Sequence, residues 1–129
     1  MKSILLVDDE AAICVELQRT LQEFGYRVEV AHNFESAIGA ICEHEIDIFL
    51  IEFNLRSADR NLPRTGRGVD LVRQIRASGK SAPILVLTAM EGDLYRTAVT
   101  VAGANELVAK RAPISGLLSC LRNHLRLGE

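Results

Sequence analysis

Five polar positions each close or directly follow a short apolar run: Asp8 and Asp9 after Ile4-Leu5-Leu6-Val7, Glu52 after Ile48-Phe49-Leu50-Ile51, Thr88 after Ile84-Leu85-Val86-Leu87, and Lys110 after Leu107-Val108-Ala109. Carboxylates gathered in one crevice repel one another and are hard to desolvate. A hard divalent cation such as Mg²⁺, which prefers oxygen ligands and keeps several waters, relieves that repulsion. A hydroxyl and an ammonium opposite them grip a phosphoryl group by hydrogen bond and by charge. An Asp-Asp pair alone is weak evidence, because a helix N-terminus also favours negative charge. Four such elements at four run ends are a stronger signal than any one of them.

The elements that would have to position these residues follow from periodicity. β-branched runs alternate with helical patterns, which predicts βαβ units and a parallel sheet. Residues 3–7 read as a strand covered on both faces. Residues 10–24 repeat Ile13, Leu17, Leu21 and Phe24 at helical spacing and stop at Gly25. Arg27 to Ala31 alternates polar and apolar, as a strand nearer the sheet edge does. Asn33 suits an N-cap for a helix presenting Phe34, Ala37, Ile38 and Ile41. The run Asp47 to Ile51 is the most hydrophobic and is expected at the sheet centre. Residues 53–66, with Pro63 and Gly66, form a connection longer than the usual βα loop. A helix carrying Val69, Val72 and Ile75 closes at Gly79. The strand Pro83 to Leu87, a less apolar helix at 91–102, a short strand at 106–109 and a final helix from Pro113 complete the chain; Leu117, Leu118, Leu121 and Leu125 mark the last helix. Right-handed crossovers would place helices on both faces and the functional crevice at the carboxyl ends of the strands.

The order Ile4-Leu5-Leu6-Val7-Asp8-Asp9-Glu10, then Asp47 to Glu52, then Leu87-Thr88-Ala89, then Gly103-Ala104 and Lys110, resembles the receiver domains of bacterial two-component signalling over roughly residues 3–127. The resemblance implies an α/β, flavodoxin-like (βα)5 fold, doubly wound, with five parallel strands in the order 2-1-3-4-5 and one domain over 1–129. It implies a Mg²⁺ site drawn from Asp8, Asp9, the carboxylate at position 52 and Asn54 through its backbone carbonyl. It also implies phosphoryl contacts from Thr88 and Lys110, and attack by the carboxylate at position 52 on a partner's phosphohistidine.

Four departures from that pattern point one way. The acceptor position holds Glu52 rather than aspartate. Its extra methylene displaces the carboxylate by about one C–C bond, and a misplacement of ~1 Å costs in-line chemistry about 10²-fold. The longer acid is expected to pair with Lys110, either imitating a phosphorylated state or merely tolerating the pocket. Leu107 stands where the family's switch carries an aromatic residue. Lys110 is followed by Arg111-Ala112-Pro113 instead of directly by proline, so Arg111 could share its charge role. The loop at 53–66 is long and basic. The sequence therefore reads as a pseudo-receiver that binds protein partners, not an enzyme, and independent of phosphorylation. Those partners would be a sensor kinase, a phosphotransfer protein, an output domain, or a second copy through the helix 4–strand 5–helix 5 face. One alternative is phosphotransfer onto another carboxylate such as Asp59.

The other alternative comes from charge. The chain carries net −2, yet residues 56–80 hold seven basic side chains (Arg56, Arg60, Arg64, Arg67, Arg73, Arg76, Lys80) against Asp59 and Asp70. Such a stretch could bind an anion or nucleic acid, but no stacking aromatics or reading motif accompany it. With 129 residues, 48% hydrophobic and 25% charged, the composition is that of one globular domain. No apolar run reaches the ~18 residues of a membrane span, and Asp8 interrupts the first apolar run too early for a signal peptide, so a cytoplasmic location is expected. Cys14, Cys42 and Cys120 are expected to be buried or half-buried free thiols, and His32, His44 and His124 surface or helix-end residues. Met90 and Leu94 read as core, and Tyr95 as either packing or partner contact.

Overall fold

The computed structural model describes residues 1–59, 61, 67–89, 92–110 and 112–127. Five strands and five helices alternate: β1 (Ser3–Val7), α1 (Ala11–Glu23), β2 (Arg27–Ala31), α2 (Phe34–Glu43), β3 (Ile48–Glu52), α3 (Arg67–Ala77), β4 (Ile84–Thr88), α4 (Asp93–Ala102), β5 (Glu106–Ala109) and α5 (Ile114–Leu127). All pairings are parallel and the order is β2-β1-β3-β4-β5. The expected doubly wound α/β sheet is what the chain forms.

Side chains alternate across a strand, so each strand of a sheet covered on both sides feeds two cores. Leu5, Val7, Phe49, Ile51, Ile84, Val86 and Leu107 pack with α2, α3 and α4. Ile4, Leu6, Ile48, Leu50, Leu85, Leu87 and Val108 pack with Cys14 and Leu21 of α1 and with Leu117, Leu118, Leu121 and Leu125 of α5. The three middle strands are buried along their whole length, which is why they read as unbroken apolar runs.

Element ends differ from expectation in ways that matter for the site. β3 runs from Ile48 to Glu52, one residue later than the expected Asp47–Ile51, and the Asp47 carboxylate accepts the Ser3 N–H at 2.7 Å. Glu52 is thereby the last ladder residue, paired with Leu87. β4 likewise begins at Ile84 and ends on Thr88. The last helix begins at Ile114, with Pro113 offering its carbonyl to Gly116 N at 2.9 Å. α4 begins at Asp93. Asn33 caps α2 as expected, its Oδ1 accepting from Ser36 N at 2.8 Å.

Three expectations about burial fail. Phe24 is 53% exposed because it caps α1 just before Gly25 turns the chain at φ 93°, beyond the helix's buried stripe. Leu94 is 79% exposed on the outer side of α4, since the helix buries Val99 instead. Cys42 is exposed near the end of α2, whereas Cys14 is buried and Cys120 half-buried. His44 is exposed and His124 lies in the last turn of α5, 2.8 Å from Glu106. Among the described residues no helix is long and apolar enough to cross a membrane.

Among the described residues of the basic segment, Arg67, Arg73 and Arg76 are committed to structure. Arg76 reaches from α3 to Gly103 O, Lys80 O, Ala82 O and Asn105 Oδ1 at 2.8–3.0 Å, stitching α3 to the turn before β5. Gly103 sits at φ 117°, and an added Cβ would lie 2.6 Å from the Arg76 stem. Arg67 stacks 4.3 Å over the Phe34 ring and, with Arg73, pairs with Asp70. Arg60, Pro63, Arg64, Gly66, Met90 and Arg111 lie outside the described residues.

Candidate phosphoryl-acceptor site

The carboxyl ends of the strands bring the expected residues to one rim. β1 ends against Asp8, whose N–H donates to Ala31 O at 3.1 Å and whose side chain is buried. Lys110 follows β5 and is anchored by its own N–H to Thr88 O at 2.7 Å, so its chain path is set by the β4–β5 ladder. From there its stem crosses the rim. The ammonium lies 2.8 Å from Glu52 Oε2, 2.9 Å from Asp8 Oδ2 and 3.1 Å from Glu10 Oε1. All three lie within charge-assisted hydrogen-bonding distance, so one ammonium is shared among three acids. The Asp8, Glu52 and Lys110 side chains are only 1%, 7% and 14% exposed, so this cluster is screened little by water.

One ammonium shared by several acids has a definite electrostatic outcome. Burial pushes the Glu52 carboxyl above its usual range and Asp8 adds to the push, while Lys110 and the Asn54 N–H oppose both without cancelling them. Burial works against the Lys110 charge, but contacts with Glu52, Asp8 and Glu10 outweigh it and raise its pKa. Behind the cluster, Cys14 donates to Asp8 O at 3.3 Å, and burial followed by the Asp8 charge lifts its thiol to about 11. His32 Nδ1 lies 3.1 Å from the same carbonyl.

Asp9 points elsewhere. Its carboxylate, 7% exposed, lies 3.7 Å from Arg56 Nε. Arg56 and Glu10 are therefore site residues that sequence reasoning left without a role. Glu10 was legible as the next acid in the motif, but Arg56 depends on the path of a loop that no pattern encodes. That loop is pinned to α2: Phe34 N donates to Arg56 O at 3.0 Å, Ser57 Oγ to Glu35 Oε2 at 2.6 Å, and Ala58 N to Glu35 Oε1 at 2.8 Å. The Ser57 hydroxyl, then the Ala58 N–H, hold the Glu35 carboxyl below its usual value.

Two further contacts couple the acceptor position to its surroundings. Phe53, next to Glu52, meets Tyr95 of α4 edge-on, with centroids 5.3 Å apart. Gly68 of α3 rests on the Glu52–Phe53 backbone, where a Cβ would fall 2.2 Å from Glu52 O. Leu107, at the switch position, is 9% exposed and packs in the core beside α4. Asp59 is not part of the cluster; its carboxylate accepts from Asn61 N at 3.0 Å in an exposed turn.

This rim has counterparts. The response regulator receiver domain family matches residues 4–122. The chain belongs to that family. It is 34% identical to the response regulator MprA of Mycobacterium avium over 123 residues, 95% of this chain and 50% of MprA. The chain thus spans about half the length of the curated relatives it matches. A two-component response regulator of Clostridium difficile superposes with a TM-score of 0.86 at 25% identity, covering 98% of this chain and 97% of that one. TrrA of Thermotoga maritima, solved with Mg²⁺-BeF, gives 0.79 at 30% identity, covering 95% and 98%. This chain is a receiver domain of two-component signalling.

Receiver domains bind Mg²⁺ at the phosphorylation site, as the TrrA complex illustrates. The oxygens here are chemically suited: Asp8 and Asp9 are buried carboxylates, and Asn54 Oδ1 is a buried acceptor without a hydrogen-bond partner, which a water of a hydrated cation would satisfy. Among the described residues, however, no three His, Cys, Asp or Glu side chains group so as to hold a metal by themselves. Glu52 in particular is turned onto Lys110.

Proposed function

We propose that this receiver domain signals by docking onto a protein partner without accepting phosphate at position 52. The observation that carries this reading is the 2.8 Å contact between Glu52 Oε2 and Lys110 Nζ. Glutamate reaches one methylene further than aspartate, and its charge ends on the cation that would otherwise hold a phosphoryl oxygen. A carboxylate whose charge is held on an ammonium is a poor nucleophile for a phosphohistidine. Ions bound by Asp8 and Asp9 would supply positive charge to incoming phosphoryl oxygens; the chain's own Lys110 already supplies it to Glu52.

The buried Leu107 supports the same reading, because leucine has no polar tip to exchange between solvent and core. The docking face we assign is α4–β5–α5. There Leu94 and Val101 stand 79% and 80% exposed, two turns apart on one side of α4 with Ala98 between them. An exposed apolar stripe of that kind suits a protein partner: a sensor kinase, a phosphotransfer protein, an output domain or a second copy. The domain is then an adaptor rather than an enzyme, and a cytoplasmic location goes with such partners.

The alternatives have less support. Asp59 would have to leave its turn with Asn61 to serve as acceptor. Among the described residues of the 56–80 segment, Arg67, Arg73 and Arg76 are already engaged with an acidic side chain, carbonyls or a ring. The test is intact mass spectrometry after incubation with a small acyl phosphate and Mg²⁺. Wild type should gain no phosphoryl group, and Glu52→Asp should gain one. Phosphate on wild-type Glu52, or on Asp59, would refute the reading.

A further inference from the structure

Among the described residues, two cations of the chain stand on the acidic rim, one at each aspartate. Lys110 stands on Asp8 at 2.9 Å and Arg56 on Asp9 at 3.7 Å. Lys110 is where the family pattern puts a lysine. Arg56 is not explained by that pattern, and its placement is built. Leu55 before it is fully buried and Ser57 after it is 1% exposed. The carbonyl of Arg56 itself accepts from Phe34 N at 3.0 Å. Glu35 then takes both the Ser57 hydroxyl, at 2.6 Å, and the Ala58 N–H, at 2.8 Å. The Arg56 carbonyl and the two residues after it are fixed to the start of α2, and from there the side chain extends to Asp9.

We propose that Arg56 is a resident counter-cation that opposes divalent-metal loading of the Asp8–Asp9 pair, presented there by the Glu35 clamp on the β3–α3 loop. A dication approaching Asp9 meets a fixed positive charge and must displace it or share the carboxylate with it. The proposal concerns the same rim as the phosphate-independent reading but does not need it, since metal affinity and phosphoryl uptake are measured separately.

The experiment uses Mn²⁺ alone, with free ion followed by electron paramagnetic resonance, on the full chain and three variants. Arg56→Gln should bind Mn²⁺ roughly three- to tenfold more tightly than wild type, the range expected for loss of a half-exposed charge contact that competes with the ion. Arg56→Lys should stay within about twofold of wild type, because it keeps the charge. Glu35→Ala should tighten binding by an intermediate factor through release of the loop; Ser57→Ala serves the same purpose if Glu35→Ala melts early. Equal affinity in wild type and Arg56→Gln would overturn the proposal. So would Arg56→Lys binding as tightly as Arg56→Gln, which would make bulk rather than charge the cause. Unchanged affinity in both clamp variants would overturn the role given to Glu35. Phosphoryl uptake by wild type would refute the earlier reading and leave this one standing.

Discussion

Replacing Lys110 with methionine removes the one ammonium that contacts Asp8 and Glu52. Both carboxylates stay where the strand ends put them, with side chains 1% and 7% exposed, so neither gains much water in exchange. Breaking a buried ion pair from one side leaves an uncompensated charge and costs about 3–5 kcal/mol. With unfolding entropy of roughly 2.1 cal/mol/K per residue over 129 residues, that is a fall in Tm of about 11–18 °C. Glu52→Gln makes the contrast. It leaves Lys110 with Asp8 and Glu10, keeps an oxygen for the Asn54 N–H, and should cost no more than about 1–2 kcal/mol. Combining Lys110→Met with Glu52→Gln should recover part of the loss, because one of the two stranded charges is gone. Urea denaturation near neutral pH, with the slope checked for constancy, gives all four free energies and the coupling between positions 52 and 110. If Lys110→Met lies within ~1 kcal/mol of wild type, the ammonium is not what holds these acids in the fold, and the reasoning fails.

Three other outcomes follow from the same geometry. The folded-state pKa of Glu52 lies above its unfolded value, so the native chain binds more protons as pH falls; stability of wild type relative to Glu52→Gln should rise as pH drops through the folded pKa and level off below the unfolded one, and urea titrations from about pH 7 to about pH 4 would register no such rise if the carboxyl were unshifted. Gly68→Ala would set a methyl 2.2 Å from Glu52 O and 2.7 Å from Phe53 O, both backbone atoms; a loss of about 1–3 kcal/mol or more is expected in thermal melts, and a neutral result would place α3 elsewhere. A thiol reagent should modify exposed Cys42 first and Cys120 more slowly, while buried Cys14, with its thiol lifted to about 11, should react only on unfolding; early loss of Cys14 in peptide mapping would contradict the packing behind Asp8.

The sequence by itself determined the sheet, its strand order through the family resemblance, and the meeting of Asp8, Glu52, Thr88 and Lys110 at one rim. The reason is periodic and local. Fully buried strands must be apolar at consecutive positions, so each strand ends visibly where its first acid, hydroxyl or amine begins. Asn33 as a cap was legible for the same reason, since capping is a contact between residues three apart. Tertiary structure alone decided what those polar ends touch. Arg56 reaches Asp9 only because Glu35, more than twenty residues earlier, grips the loop. Gly68 supports the Glu52 backbone, and Tyr95 meets Phe53, through helices whose angles no periodicity records. Leu94 stands outside and Val99 inside because the buried stripe of a short helix is fixed by the sheet beneath it, not by the hydrophobicity of either residue.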